Sequence, residues 1–261
     1  MFFNINKQQV NDAKAKLERD KKSKNRRIKE FIKKYPAVYG AMLKLRNLYL
    51  RLQSREKIFS SVYNKNTWAD AESLSGPGSN LNETTVIRKE LPKLFKKFNV
   101  KSIVDVPCGD FYWMKYLIKD YPEINYFGGD IVKQMIHSNN LRFGNSRIKF
   151  RKIDIVSDKI PKGDIMLCRD CLIHLSFSDG IKAIENIKGS DSKYLLSTTF
   201  SNITVNKNSP TGSHGREINL QLHPYNFPKP ILLINEGVPK CPHKNLGLWR
   251  IEDMIRNKNR K

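Results

Sequence analysis

The sequence predicts an α/β protein: a Rossmann-like, doubly wound, mostly parallel seven-stranded sheet with a C-terminal antiparallel hairpin, preceded by a basic helical extension. Three observations lead to this prediction. Short apolar runs alternate with helical patterns between residues 84 and 198, which is typical of parallel strands joined by right-handed crossovers. The first run ends in an acidic turn that contains glycine, and residues 1–57 are markedly basic.

The N-terminal segment is distinguished by its charge. The chain of 261 residues has a net charge of +23, and residues 1–57 hold 17 Lys and Arg against 5 Asp and Glu, about half of the excess. After Pro36, apolar residues recur at spacings typical of an amphipathic helix, namely Val38, Met42, Leu45, Leu48 and Leu52. We predict a basic, partly amphipathic helical extension over residues 1–58 and one globular domain over residues 59–261.

Several uses of this extension are compatible with its composition. It can dock on its own domain as a solvated segment, or attach to an anionic membrane surface or a partner enzyme. Nucleic acid is a third partner, although the charge supports only non-specific contacts without a stacking platform. No apolar run approaches the roughly 20 residues that cross a bilayer, and the start lacks the apolar core of a signal peptide. We therefore expect a cytoplasmic protein that is at most peripheral at a membrane.

The globular domain follows in order along the chain. Turn residues dominate residues 68–80, and residues 84–98 have the apolar periodicity of a helix. Strands are predicted at residues 102–106, 125–129, 148–153, 164–168 and 193–198. After Thr199 comes a polar segment with several prolines, followed by strand-like runs at residues 231–235 and 246–249. These two runs predict the antiparallel hairpin.

The turn after the first strand predicts a cofactor site. Asp105 ends the strand, Gly109 follows where backbone must approach a ligand, and Asp130 ends the second strand, where it can accept from ribose hydroxyls. Doubly wound domains hold adenosine-containing cofactors in this way. The dinucleotide fingerprint needs three glycines, but its positions hold Pro107, Gly109 and Phe111, so a pyrophosphate is not expected.

Two further strands bring polar residues to the same edge of the sheet. Asp154 and Ile155 follow the third strand, and Arg169 and Asp170 follow the fourth. Ligands of an open parallel sheet bind outside the carboxyl ends of its strands, so these side chains are predicted to share one site. An Asp at such a position is also a frequent helix N-cap, and both roles stay open for Asp154.

The segment after the fourth strand carries the predicted catalytic residues. If a helix begins at Asp170, then Asp170 and His174 are four residues apart and share a face. An ionised Asp, or a neutral His with a pKa of about 6.5, can take the proton of a hydroxyl acceptor. The alternative is that His174 is a packed histidine that orders this segment.

The cysteines do not predict a metal site or disulfides. Cys168 and Cys171 have the spacing of half a zinc site, and Cys241 with His243 would be the other half. However, Cys168 is expected to end a buried strand, where cysteine acts as a small hydrophobic residue. Four cysteines in a chain of this length do not make a disulfide framework.

Several motifs resemble known methyltransferases. The block from Val104 to Trp113, with the acid Asp130 that follows it, is similar to motif I of the class I S-adenosylmethionine-dependent methyltransferases. The segments 73–79, 168–176 and 215–220 resemble more narrowly a group associated with surface polysaccharides, including domains joined to glycosyltransferases. Asp170 and His174 also match two metal-ligand positions of ubiquinone-biosynthesis O-methyltransferases, but Ile173 replaces a third, so a divalent metal is not predicted.

The resemblance implies S-adenosylmethionine as cofactor, a saccharide hydroxyl as acceptor and a glycosyltransferase among the partners. It places Gly109 under the methionine portion, Asp130 at the ribose, and Asp154 with Ile155 at the adenine. The predicted cofactor-binding residues are Asp105, Pro107, Cys108, Gly109, Asp130, Ile131, Asp154, Ile155 and Arg169. The predicted catalytic residues are Asp170 and His174, and the predicted saccharide-binding residues are Trp113, Arg216 and Asn219. An RNA or DNA methyltransferase and a non-catalytic adaptor that keeps the fold are the alternatives.

Overall fold

The structure, a computed structural model, describes residue 31, residues 34–68 and residues 70–256. Most of the predicted extension, residues 1–30, lies outside the described residues. The chain divides into two compact units between Tyr49 and Leu50. This division lies earlier than the predicted boundary after residue 58, so helix α2, Arg55–Asn64, belongs to the second unit.

Helix α1, Pro36–Arg51, is the regular element of the described N-terminal segment. Proline begins the helix, where its missing N–H leaves no bond unmade, and Arg51 lies in the last turn at the negative end of the helix dipole. Apolar side chains on this helix are exposed, with Leu45 at 68% and Tyr49 at 59%. The helix predicted after Pro36 is thus present.

The second unit is built on one seven-stranded sheet. Its strands are β1 (Ser102–Asp105), β2 (Asn125–Asp130), β3 (Ile148–Lys152), β4 (Ile165–Cys168), β5 (Tyr194–Phe200), β6 (Leu232–Asn235) and β7 (Lys244–Arg250). The strand order is β3-β2-β1-β4-β5-β7-β6. Strands β1 to β5 are parallel, whereas β7 runs antiparallel between β5 and β6. The predicted fold class, with its C-terminal antiparallel pair, is confirmed.

Helices cover both faces of this sheet. They are α3 (Thr85–Lys97), α4 (Met114–Ile118), α5 (Lys133–Phe143), α6 (Phe177–Lys188) and α7 (Ile251–Arg256). Neighbouring strand residues enter different cores, because side chains alternate across a strand. Ile103 packs in the core that holds residues of α3, α4 and α5, and Val104 packs in the core that holds residues of α6 and α7. Two apolar layers therefore fix the sheet that carries the site.

Strand ends differ from the prediction by one or two residues, and an irregular segment, residues 201–231, joins β5 to β6. The helix predicted at residues 84–98 corresponds to α3, which buries Ile87, Leu91, Leu94 and Phe95. Among the described residues, no helix combines the length and apolar character of a membrane span.

Candidate functional site

A cavity of about 520 Å³ lies at the carboxyl ends of strands β1 to β4. This volume lies within the usual range of about 300–1,000 Å³ for small-molecule sites. All predicted site residues line the cavity except Asn219. The parallel strands bring them together, because their carboxyl ends meet at one edge of the sheet.

The turn after β1 is bonded to the end of β2. Gly109 has a φ of +58°, a conformation that suits glycine, and a side chain there would collide with the Ser75 hydroxyl. The Asp130 carboxylate accepts hydrogen bonds from the backbone N–H groups of Gly109 at 3.2 Å and Val132 at 3.0 Å. Burial raises the pKa of Asp130 to about 6. The turn and the acid predicted to contact the cofactor thus form one rigid unit.

Asp105 lies deeper at the end of β1. Its carboxylate accepts a hydrogen bond from the Tyr126 hydroxyl at 2.7 Å. Burial raises the pKa of Asp105 to about 7, although Tyr126 and the positive charge of Arg169 act in the opposite direction. A cation placed beside Asp105 would favour its ionised form. This position therefore suits a positively charged group of a ligand.

Asp154, at the end of β3, is held from two sides. Its Oδ1 accepts from the Val156 N–H at 3.0 Å, as in a capping interaction. Its Oδ2 lies 2.8 Å from both Nε and Nη2 of Arg55, a residue of helix α2. Arg55, Phe59 and Tyr63 all line the cavity. The sequence did not indicate these α2 residues, because no motif links them to a strand end.

Asp170 belongs to a buried ionic network. Its Oδ2 lies 2.7 Å from Lys244 Nζ and 3.3 Å from Arg169 Nη1. Glu236 Oε2 accepts from Arg169 Nη2 at 2.5 Å and lies 3.3 Å from Lys244 Nζ. The other oxygen of Glu236, Oε1, is buried and has no hydrogen-bond partner among the described residues. The network balances two positive charges against two negative charges.

The network determines the protonation state of Asp170. Burial opposes its charged form, but Lys244 and Arg169 outweigh burial and hold the pKa of Asp170 well below its ordinary value. Its backbone N–H also donates to Thr198 Oγ1 at 2.8 Å. An ion-paired carboxylate of low pKa is a poor proton acceptor. Asp170 lies in the site as predicted, but the geometry does not favour it as the general base.

His174 is presented by a 3₁₀ turn, Leu172–His174, instead of the α-helix expected from Asp170. The two residues therefore do not share an α-helical face. The Nδ1 atom of His174 lies 3.3 Å from the Ser213 carbonyl oxygen, which can only accept, so Nδ1 carries the proton and Nε2 keeps a lone pair. Burial lowers the pKa of His174 below 6.5. His174 is thus a neutral imidazole whose basic nitrogen is Nε2.

The predicted saccharide-binding residues have different environments. Arg216 donates to the carbonyl oxygens of Lys207 at 2.8 Å, Ile173 at 3.0 Å and Leu175 at 2.5 Å. Arg216 lines the cavity, but its guanidinium donates to backbone carbonyl oxygens of irregular segments, which need such donors when they are buried. These bonds hold residues 207–216 next to His174. Asn219 lies outside the cavity lining and donates to the Ile203 carbonyl at 3.1 Å.

Trp113 is buried and lines the cavity beside Arg169, whose guanidinium carbon lies 5.7 Å from the centroid of the Trp113 ring. A second indole, Trp68, lies next to His174, with a ring-centroid separation of 5.3 Å. The sequence did not single out Trp68, because no periodic pattern surrounds it. Both tryptophans line the cavity and give it aromatic surface.

The loop of residues 73–79 is hydrogen-bonded at both ends, and residues 74–79 of this loop line the cavity. Asp110 accepts from Ser73 Oγ at 2.9 Å and from the Leu74 N–H at 2.8 Å. At the other end, the Gly78 carbonyl accepts from Arg169 Nη1 at 2.6 Å. A side chain at position 78 would come within 2.8 Å of Asp170 Oδ2. The position of this loop therefore depends on both Asp110 and the ionic network.

No metal-binding group of three or more His, Cys, Asp and Glu side chains occurs in the part of the chain that the structure describes. Cys168 and Cys171 are buried free thiols, and Cys241 is partly exposed. A hydrogen bond with Cys168, together with burial, raises the pKa of Cys171 well above its ordinary value.

No family model matches the chain, and no curated protein matches it. The chain is similar to human N-acetylserotonin methyltransferase in complex with SAM, at 12% identity and a TM-score of 0.49, over 76% of this chain and 60% of that one. It is similar to the methyltransferase domain of bacterial CtHen1-CN at 15% identity and a TM-score of 0.48, over 66% of this chain and 100% of that one. An O-methyltransferase family protein from Burkholderia thailandensis is 13% identical over 44% of this chain and 40% of that one, with a TM-score of 0.35. Likenesses this distant do not assign an activity.

Proposed function

We propose that this protein is an S-adenosylmethionine-dependent O-methyltransferase that methylates a sugar hydroxyl of a glycan. One observation carries the proposal: two buried acids at the ends of β1 and β2 share a cavity with a neutral histidine whose Nδ1 is bonded to a backbone carbonyl, which leaves the lone pair on Nε2. The acids, Asp105 and Asp130, suit a cationic, ribose-containing cofactor. His174 suits an acceptor that must lose a proton.

The residues of the cavity fit S-adenosylmethionine. Asp105 would hold the ammonium group, since its raised pKa reflects a buried acid that gains from a nearby cation. Asp130 would accept from the ribose hydroxyls, and Ile131 with Ile155 would border the adenine. When bound, the cofactor supplies an electrophilic methyl group on its sulfonium.

His174 would remove the acceptor proton. Its Nε2 accepts the proton of the hydroxyl, and the Ser213 carbonyl, which accepts from Nδ1, stabilises the positive imidazolium that results. The negative charge of Asp170 favours the same charged form of His174. Asp170 thus acts on the electrostatics of the site while Lys244 and Arg169 keep it ionised.

Further residues that line the cavity support a sugar as the acceptor. Trp68 and Trp113 offer aromatic surface, and Glu217 and Lys240 line the same cavity with groups that can bond to hydroxyls. The motif resemblance to methyltransferases of surface polysaccharides points the same way. The cavity lining and the motif resemblance together support a sugar hydroxyl as the acceptor.

The proposal is tested first with the cofactor product. Calorimetry should detect binding of S-adenosylhomocysteine to the full chain, whereas an adaptor with a degenerate cavity should not bind it. Asp130→Ala should weaken this binding by roughly 1.5–3 kcal/mol, the loss expected for hydrogen bonds to a charged group. Unchanged affinity in a folded Asp130→Ala variant would show that Asp130 does not contact the cofactor.

The acceptor is tested with labelled cofactor and a panel of synthetic glycosides, RNAs and DNAs. Transfer of label to a glycoside, with none to the nucleic acids, is the expected result. Transfer of label to nucleic acid alone would refute the sugar acceptor and indicate an RNA or DNA methyltransferase, which the net charge of +23 favours.

A further inference from the structure

Arg55 of helix α2 bridges two acidic residues of different elements. Its Nε and Nη2 each lie 2.8 Å from Asp154 Oδ2, and its Nη1 lies 3.4 Å from Asp179 Oδ1, in the first turn of α6. Asp158 adds a third negative charge nearby. The side chains of Asp154 and Asp179 are only 17% and 18% exposed, so without the guanidinium two largely buried carboxylates would lose their cation.

Asp179 extends this contact toward the histidine. Its second oxygen, Oδ2, accepts from Thr211 Oγ1 at 2.5 Å. The next residue, Gly212, donates its N–H to the His174 carbonyl at 2.8 Å. Ile58, one helical turn after Arg55, packs directly on Gly212. Helix α2 therefore contacts the segment that carries the Ser213 carbonyl, the hydrogen-bond partner of His174 Nδ1.

We propose that Arg55 is a positioning residue for both halves of the cavity: it holds Asp154 at the cofactor end and, through Asp179 and Thr211, the loop that orients His174. The proposal rests on the proposed methyltransferase function. A planar guanidinium suits this role because its forked N–H groups serve two acids at once, which a lysine ammonium does less well.

The proposal is tested with Arg55→Ala, Arg55→Lys and a matched control, Glu56→Gln. Glu56 is adjacent on α2 and makes an exposed ion pair with Lys152 at 2.6 Å, with both side chains more than 40% exposed. Three measurements are made on the full chain: S-adenosylhomocysteine affinity, kcat with the acceptor found above, and backbone hydrogen exchange across residues 207–216.

Arg55→Ala should weaken S-adenosylhomocysteine binding and speed hydrogen exchange in residues 207–216, each by about tenfold, the effect of losing one charge-assisted contact. It should also lower kcat, because the loop no longer fixes the His174 ring. Arg55→Lys should recover only part of these losses, and Glu56→Gln should match the wild type. An Arg55→Ala protein that equals Glu56→Gln in all three measurements would overturn the proposal.

Thr211→Val provides an independent test that does not depend on how Arg55→Ala folds. It removes the hydroxyl that donates to Asp179 and accepts from the Ser176 N–H at 2.9 Å, and Thr211→Ser, which keeps this hydroxyl, is the control. Exchange across residues 207–216 should quicken and kcat should fall only in Thr211→Val, at unchanged S-adenosylhomocysteine affinity. Wild-type exchange in this variant would disprove the link. A wild-type protein that fails to bind S-adenosylhomocysteine would instead refute the proposed function, while the exchange data would still decide the role of Arg55.

Discussion

In the proposed mechanism, His174 is the proton acceptor and Asp170 serves a different purpose. The Ser213 carbonyl fixes the tautomer, and burial keeps the imidazole neutral. Asp170 is held in its charged form by two buried cations. The surroundings lower both pKa values, so that both groups are deprotonated: the imidazole is then neutral and can serve as the proposed base, whereas the carboxylate is a fixed negative charge.

His174→Ala should lower kcat by about 10²- to 10⁴-fold with S-adenosylhomocysteine affinity nearly intact, since the residue acts only on the acceptor. In the wild type, kcat should fall at acid pH with a midpoint below 6.5, because burial lowers the pKa of His174 and a protonated ring cannot accept. A pH–rate profile measures this midpoint. A fully active His174→Ala protein would transfer the role to another group, with Glu217 the next candidate.

Asp105 should make the ligand-free protein less stable at alkaline pH. Burial raises the pKa of Asp105 from 3.8 to about 7, so the folded state binds this proton more tightly than the unfolded chain. The resulting stabilisation is fully present below pH 3.8 and is lost as the pH rises to about 7. Urea unfolding at pH 5 and pH 8 should show a larger loss of unfolding free energy in the wild type than in Asp105→Asn. Equal losses would contradict the assignment.

Glu236 should be important for stability although the sequence did not single it out. Glu236→Ala leaves Arg169 and Lys244 short of a counter-charge in a buried site, which should cost about 3–5 kcal/mol of unfolding free energy. Glu90→Ala is the control, because it removes an exposed pair with Lys93 and should cost at most about 1 kcal/mol. Chemical denaturation of both variants makes the comparison. Similar losses in the two would show that the network is not a stabilising feature.

At the scale of elements, helix α2 adds side chains to the lining of the cavity at the strand ends. A chain beginning at Leu50 keeps α2 whole, whereas one beginning at Phe59 loses Arg55 and Ile58. We expect the longer chain to bind S-adenosylhomocysteine like the full protein and the shorter chain to bind at least about tenfold more weakly. Calorimetry on both, with circular dichroism to confirm folding, measures the difference. Equal binding by the two folded chains would mean that α2 does not contribute to the cofactor site.

The strands and the acids at their carboxyl ends could be predicted because their signals are local. A buried parallel strand is a short apolar run, and an acid such as Asp130 directly follows one. The contacts of Arg55 and Glu236 could not be predicted, since their partners lie 99 and 67 residues away in sequence. The saccharide-binding role of Arg216 stays a prediction, but its hydrogen bonds to three backbone carbonyl oxygens could not be predicted. No sequence pattern shows how many carbonyl oxygens of an irregular loop need a side-chain donor.

At the scale of the whole molecule, about half of the net charge of +23 lies in residues 1–57. Helix α1 adds exposed apolar side chains to that charge, including Val38 and Leu45. Basic charge beside an apolar stripe is the combination that binds anionic lipid surfaces.

The full chain should therefore bind vesicles that contain anionic lipid and bind neutral vesicles much less. Binding should weaken as salt rises from about 0.05 to 0.5 M, because ions screen the attraction. A chain that begins at Leu50 should lose most of the binding, which vesicle sedimentation measures directly. Undiminished binding by that chain would place the lipid-binding surface on the second unit instead.

The position of β7 has a consequence for how the protein is made. All seven residues of β7 pair with β5, and β7 also separates β5 from β6, yet the ribosome delivers it after the other six strands of the sheet. Until it emerges, β5 is an open edge with the apolar residues Leu195 and Leu196, a template for pairing with other chains. The same segment brings Lys244, so a nascent chain already has Asp105 and Asp130 but lacks one of the two buried cations beside Asp170. Protection against aggregation and completion of the ionic network thus arrive together, with the last strand of the sheet.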